Sequence, residues 1–364
     1  MTGNAAHWFV DRHIAEGRGA KTAFEEAWKG GRQLTYGALA NGAGQVADAL
    51  VRSGISREAR AAMFVLDQIE FPQIFWGTLK AGVVPVALNT LLSSDVYSAI
   101  LRDSRAAIAF VSQELWDVVA PAVQESPDLR QVVVIGSEAP EGTLSWEAFV
   151  AGTTPAETLD CSGDEIAFWL YSSGSTGAPK GVRHVHSALR QTCDTFARQV
   201  LAIQEQDKVF SAAKLFFAYG LGNGMSFPMS VGATSFLYNG RPTPDTVSHI
   251  LETYQPTVYY GVPTLFASLL HKWETDGAPP RVPLRCCTSA GEALPAEIGR
   301  KWRDLMGLDI IDGVGTTEML HIFLSNRPGD VHYGTSGTAG PGYEVRLVDE
   351  EGAEVDPGVG GGPL

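Results

Sequence analysis

The chain has 364 residues, 45% of them hydrophobic and 19% charged, which is the composition of a soluble globular protein with room for one to three folding units. Its formal charge of −14, with no local cluster of Lys and Arg, argues against nucleic acid or an acidic membrane as partner, because a phosphate polymer would meet net repulsion. A small anion stays compatible, since a loop of backbone N–H groups with one lysine holds phosphates inside an acidic protein.

The opening MTGNAAHWFVDRH lacks a basic start followed by an apolar stretch, and no apolar run is long enough to span a bilayer. A cytoplasmic, reducing setting is therefore expected. From residue 60 onward, short apolar runs alternate with amphipathic, helix-length segments. AAMFVL (61–66) reads as a buried strand, EFPQIFWGTLKAG (70–82) as a helix with a glycine stop, and VVPVAL (83–88) as the next strand. The rhythm continues through runs at 106–111, 131–136, 166–171, 208–213, 234–238, 257–262, 285–290 and 309–314. Helices are expected over 187–201, 244–254 and 295–306. Strands that are apolar on both faces and separated by helices predict an α/β fold of two packed, mostly parallel sheets, because ten or so strands exceed one comfortable sheet. Residues 343–364 read as a strand, a charged turn and a glycine-rich approach to another strand, the start of a small β subdomain. Of the four cysteines, Cys286 and Cys287 sit in the apolar run LRCCTSA and are expected to be buried thiols rather than redox or metal groups.

Between the strand ending at Tyr171 and the helix after Ser187 lies SSGSTGAPKG. Ser172, Ser173, Ser175 and Thr176 offer hydroxyls, Gly174, Gly177 and Gly181 let the backbone close around an anion, and Lys180 adds a full positive charge. A P-loop of the G-x-x-x-x-G-K-[ST] type does not fit, because no Ser or Thr follows the lysine and Pro179 removes an N–H from the cradle. The order S-S-G-S-T-G-x-P-K-G instead resembles the phosphate-binding signature of the adenylate-forming superfamily of acyl- and aryl-CoA ligases, luciferases and peptide-synthetase adenylation domains.

Three further segments share that resemblance. TSAGEALP (288–295) is similar to the family's adenine-contacting loop, which implies nucleotide contacts for Ser289, Ala290, Gly291 and Glu292. DGVGTTEM (312–319) resembles the family's Y-G-x-T-E segment, with Val314 at the usual aromatic position. It places Asp312, Gly313, Val314, Gly315, Thr316 and Thr317 around ATP or AMP, with Thr317 on the α-phosphate and Glu318 as the Mg2+ ligand. Thr317, Glu318 and Lys180 are the implied catalytic groups. KLFFAYGLGNGMSFPMSVGAT (214–234), together with EMLHIFLSNRPGD (318–330), looks like the benzoate-CoA ligase branch, with Phe217 where many acyl-CoA ligases carry histidine. Phe217, Ala218, Tyr219, Gly220, Gly315, His321 and Ile322 are then the candidate walls of a slot for a flat aromatic acid. His184 and His186 are expected to be solvated or capping residues.

The resemblance implies the αβαβα layering of that family's large domain over 1–334, with 335–364 beginning a β-barrel subdomain and GVGGGPL similar to a G-x-x-G-x-L segment within it. The resemblance also implies that the mobile C-terminal lid of complete family members is not part of this chain. The implied activity is AMP-forming ligation of benzoate, or a simple substituted benzoate such as 2-aminobenzoate, to coenzyme A with Mg-ATP. The alternatives are a lid-less adenylate-binding module without catalysis and a ligase for a non-aromatic acid.

Overall fold

In the computed structural model, which describes residues 3–173 and 179–355, the apolar runs become strands of two sheets. The first strands are β1 (Thr22–Glu26) and β2 (Gln33–Thr35). A seven-stranded sheet follows, built from β3 (Arg60–Phe64), β4 (Val84–Ala87), β5 (Ala106–Ser112), β6 (Gln131–Ile135), β7 (Leu144–Ser145), β8 (Ile166–Ser173) and β9 (Pro179–Val185). Its order is β7-β6-β5-β3-β4-β8-β9, and every pair is parallel except β8 and β9. The remaining strands are β10 (Lys208–Ser211), β11 (Thr234–Leu237), β12 (Val258–Gly261), β13 (Cys286–Ser289), β14 (Ile310–Gly315), β15 (Ile322–Ser325) and β16 (Thr338–Ala339). With β1 and β2 they form a nine-stranded sheet, β16-β15-β14-β13-β12-β10-β11-β1-β2, parallel from β14 to β1 and antiparallel at both edges.

Side-chain alternation divides the interior into layers. Val209, Val258, Tyr260 and Cys286 point into a core shared with Phe75, Phe110 and Phe168, between the two sheets. Their neighbours Phe210, Tyr259 and Cys287 point the other way, against the helices Pro244–Tyr254, Pro263–Asp276 and Ala296–Met306. The outer face of the seven-stranded sheet packs Phe64, Val86 and Val111 on the helices Ser94–Ser104 and Trp116–Gln124. The result is the expected αβαβα stack. Trp302 anchors the outer layer, fully buried with its ring centroid 4.7 Å from Phe266 and 5.4 Å from Trp273.

The inner layer holds two helices, Tyr36–Arg52 and Glu70–Lys80. Leu39, Ala43, Val46, Ala47 and Leu50 recur every three or four residues, and the Thr35 hydroxyl accepts the Ala38 N–H at 3.1 Å as N-cap. A Cβ at Gly77 would lie 2.5 Å from Val46 Cβ, so these helices touch through glycine.

The two sheets are tied by charge as well as by apolar contact. Arg32 beside β2 donates to Glu26 of β1 at 2.6 and 3.0 Å, and to Glu70 of the inner helix at 2.9 Å. Both carboxylates are buried, while the guanidinium is half exposed.

The structure corrects the sequence reading at three places. Of the segment expected as a loop after Tyr171, Ser172 and Ser173 belong to β8 and Pro179, Lys180 and Gly181 to β9, with Ser172 opposite Lys180. Over 343–355 no ladder forms among the described residues: a turn closes by Asp349 N–H to Ala353 O and Val355 N–H to Leu347 O, with one bridge between Val348 and Glu354. Val345, Leu347 and Val348 stay 39–56% exposed there, so no second apolar layer presses this segment into a sheet. GVGGGPL lies outside the described residues. His184 and His186 are buried rather than solvated: His184 stacks on Phe168 at 5.0 Å, whereas His186 does act as a cap, its Nδ1 accepting the N–H of Ala5 at the start of a helix at 3.1 Å. Burial holds both rings neutral, with pKa values pushed down to about 4.

Candidate active site

The carboxyl ends of the parallel strands of both sheets open on one cleft of about 1360 Å³. Its walls are the segments that leave β10, β11, β12, β13 and β14, together with Ser172 of β8 and Leu66, Thr90, Leu91 and Leu115 from the other sheet.

The hairpin of β8 and β9 approaches from one side. A Cβ at Gly181 would lie 3.2 Å from the Tyr171 ring, and the Tyr171 hydroxyl donates to the Asp103 carboxylate. The stem is therefore packed and pinned. Ser172 Oγ donates to Glu318 Oε1 at 3.3 Å, which brings two of the candidate residues together across 146 positions of sequence. Lys180 is exposed on β9 and does not line the cleft. Gly174, Ser175, Thr176 and Gly177 lie outside the described residues, and the Ser173 backbone pairs with Pro179.

Opposite stands the turn after β14. Asp312, Gly313, Val314 and Gly315 belong to the strand itself rather than to the loop beyond it. A Cβ at Gly315 would lie 2.7 Å from the His321 carbonyl oxygen, so the bulge there closes only around glycine. Thr316 Oγ1 accepts the Met319 N–H at 3.1 Å, and the Leu320 N–H donates to the Thr317 carbonyl at 3.1 Å. This tight turn, with Leu320 at φ +66°, presents Thr317 and Glu318 to the cleft. Among the nucleotide candidates, Ala290, Gly291, Gly315, Thr316 and Thr317 line the cleft with Ser172. Ser289 is buried inside β13, Glu292 points to solvent, and Asp312, Gly313 and Val314 stand behind the wall. Burial pushes the Asp312 carboxyl up to about 6, against the Leu294 N–H that it accepts at 3.5 Å. Among the described residues no three His, Cys, Asp or Glu side chains gather as a metal cage. Glu318 is a single hard carboxylate, which suits a Mg2+ ion held mainly by phosphates and water.

Beside this turn the chain forms a slot. Phe217, Ala218 and Tyr219 line it at the start of a helical run in which Gly222–Ser226 widens to π-helical turns. The Tyr219 hydroxyl donates to Thr288 O at 3.0 Å and Gly261 O at 3.3 Å, which fixes the ring on β12 and β13. His321 and Ile322, both 2% exposed, close the floor. The His321 ring lies 4.4 Å from that of Phe227, and its Nε2 is 3.0 Å from Asn223 Oδ1. Burial pushes its pKa down to about 3, so the slot meets a neutral ring. Gly220 is not a wall: a Cβ there would lie 2.0 Å from Lys214 O, and its role is to let the helix start against the preceding turn. Lys214 reaches the cleft, but its ammonium donates to the Tyr238 carbonyl.

Sequence reasoning missed the wall from Asn239 to Pro244, although its turn residues and the Thr243 capping pattern were visible. It also missed Leu66, Thr90, Leu91 and Leu115, which reach the cleft from the other sheet.

Comparison with known proteins bears on the family and the fold. The profile described as AMP-binding enzyme matches residues 11–362. A benzoate–CoA ligase of Thauera aromatica is 49% identical over 360 residues, covering 97% of this chain and 66% of the relative. The crystal structure of a benzoate CoA ligase from Burkholderia xenovorans LB400 superposes with a TM-score of 0.87 at 43% identity, over 97% of this chain and 69% of that one. The anthranilate CoA ligase AuaEII, solved with anthranoyl-AMP, gives a TM-score of 0.93 at 37% identity, over 97% and 67%. The chain thus spans about two thirds of the length of these relatives. Among the described residues no helix is long and apolar enough to cross a membrane.

Proposed function

The chain belongs to the AMP-binding enzyme family, and on that premise we propose that it is the substrate- and ATP-binding part of an AMP-forming aryl acid–CoA ligase. The substrate would be benzoate or a simple substituted benzoate such as 2-aminobenzoate. In this reading residues 1–334 are the adenylation core and 335–364 open a β-barrel subdomain. A mobile lid would lie in the part of the relatives' length that this chain does not span.

One arrangement supports the reading above the others. The Thr317–Glu318 turn and Ser172 share a single cleft with a slot of Phe217, Ala218, Tyr219 and Ile322. A carboxylate is a poor acyl donor because its leaving group would be oxide. Its oxygen attacks the α-phosphorus of ATP, pyrophosphate leaves, and the thiol of coenzyme A then attacks the carbonyl carbon and releases AMP. The protein's part in the first step is alignment and charge neutralisation. Thr317 would donate to the α-phosphate, Glu318 would hold Mg2+, and the 172–181 segment with Lys180 would take the β- and γ-phosphates. The walls Phe217, Ala218, Tyr219 and Ile322 carry no charge and burial holds His321 neutral, while the Lys214 ammonium is held by the Tyr238 carbonyl and faces Asp67. An uncharged ring suits such walls, and a second acidic group would find no free partner among them.

Thermal melts with non-hydrolysable adenylate analogues test this. At a hundredfold excess over its dissociation constant, a ligand contributes about 2.7 kcal/mol, which shifts the midpoint of 364 residues by about 3–4 °C. Benzoyl, 2-aminobenzoyl or 4-hydroxybenzoyl analogues are expected to give that shift, and decanoyl and phenylalanyl analogues not. Equal shifts from all five would sink the aromatic assignment.

A further inference from the structure

We propose that Asp67 is a positioning residue for the aromatic slot, its carboxylate fixing the Lys214–Tyr219 wall to the seven-stranded sheet. The proposal rests on the aryl-adenylate reading of the cleft and extends it to a residue on the other sheet.

Asp67 follows β3 directly after Leu66, which lines the cleft, and is itself 5% exposed. Its two oxygens accept the Leu215 N–H at 3.2 and 3.4 Å, across 148 positions of sequence. The wall that Leu215 belongs to is a tight turn. The Phe217 N–H donates to Lys214 O at 3.0 Å, and Gly220 leaves no space inside it. Three anchors hold this turn: Tyr219 on the carbonyls of β12 and β13, Lys214 on the Tyr238 carbonyl after β11, and Asp67 on the Leu215 amide. The first two belong to the sheet that carries the turn. Asp67 alone of the three comes from the opposite sheet, so it sets the distance between the slot and the rim formed by Leu66.

Asp67 is also an anchor that titrates. Burial pushes its carboxyl up to about 6, with the nearby Lys214 ammonium and the Leu215 N–H opposing. Lys214 is the titratable group that faces it among the described residues, and burial lowers that amine while Asp67 raises it. The buried histidines of the site titrate near 3 and 4 and stay neutral across the same range.

The experiment measures dissociation constants by calorimetry for 5′-O-(N-benzoylsulfamoyl)adenosine and for 5′-O-(N-acetylsulfamoyl)adenosine, which carry the same charge, on the full chain between pH 5 and 8. The ratio of the two isolates the ring's contribution and cancels titration at the adenosine end, Asp312 included. In the wild type that ratio is expected to fall about three- to tenfold from pH 7.5 to 5, as the charge-assisted bond to Leu215 is lost. Asp67→Asn keeps an oxygen for the Leu215 N–H but cannot ionise, so its ratio should be flat at the wild type's low-pH value. Lys214→Met should move the midpoint to higher pH, because the carboxylate loses its cation. A pH profile of Asp67→Asn that tracks the wild type overturns the proposal. So does an Asp67→Ala variant, folded by circular dichroism, that weakens both ligands equally. If the ring adds nothing to affinity at any pH in the wild type, the aryl reading itself has failed and this role falls with it.

Discussion

Replacing Arg32 with methionine removes the cation shared by Glu26 and Glu70 and leaves both carboxylates buried between the sheets. Breaking a buried pair from one side costs about 3–5 kcal/mol, and because the guanidinium is half exposed and water takes part of its place, the lower end of about 3 kcal/mol applies here. At about 2.1 cal/mol/K per residue the unfolding entropy of 364 residues is near 0.76 kcal/mol/K, so the melting temperature should drop by about 4 °C. Burial raises the Glu26 carboxyl, but the Arg32 side chain and the Arg32 and Ile69 N–H groups outweigh it and hold its pKa below the usual glutamate value. A depressed carboxyl contributes stability above its unfolded pKa and loses it as pH falls through the folded one. The unfolded chain is common to both, so the gap between wild type and variant should be full at pH 7.5 and close as pH falls through the raised pKa of the carboxyls that burial leaves unpaired in the variant. Scanning calorimetry across that range reads it directly, and adding Glu26→Gln and Glu70→Gln to the variant should restore most of the loss. A gap under about 1 kcal/mol at pH 7.5, or one that persists unchanged at pH 4, would show that the ion cluster does not tie the sheets as described.

Gly315→Ala forces a methyl group to 2.7 Å from the His321 carbonyl, so it should cost about 1–3 kcal/mol in urea unfolding and weaken benzoyl-adenylate analogues at least tenfold. Glu318→Gln should abolish the Mg2+ dependence of ATP binding, measured by calorimetry with and without the ion, while analogues lacking the β- and γ-phosphates keep their affinity within about threefold. His186 is buried neutral at a pKa of about 4, so the unfolded chain binds its proton first and stability falls as pH drops from about 6.5 toward 4. His186→Gln should reduce that acid slope by up to about 1.4 kcal/mol per pH unit, and an unchanged slope in urea titrations would exclude the histidine as its source.

The strands that carry the cleft were legible because each is apolar on both faces and ends in a glycine or polar turn, as at Val258–Gly261 and Cys286–Ser289. The edge strands were not. β9, PKGVRHV, has half-exposed positions and opens on a proline followed closely by a glycine, and it becomes a strand only by pairing with β8. Local pattern placed Thr317, Glu318, Phe217 and Tyr219 at strand ends, and the fold brings them to one cleft. What no pattern reveals is contact between distant segments. Asp67 reads as an ordinary turn residue until Leu215 arrives beside it, and His184 reads as polar until Phe168 covers its ring. The same limit explains Asp312 and Ser289, whose side chains belong to strand interiors that motif spacing does not distinguish from the loops beside them.

The widened turn at Gly222–Ser226 has a consequence for how this slot tolerates change. A π-helical turn accommodates one surplus residue, and removing it would rotate everything downstream by about 100°, the angle between successive residues of a regular helix. Phe227, which now packs against His321, would swing off the core, or else Asn223 would leave the imidazole it meets. At this point of the chain the length of the segment, more than the identity of any side chain in it, sets the floor of the slot. A single-codon deletion here should be harsher than most substitutions.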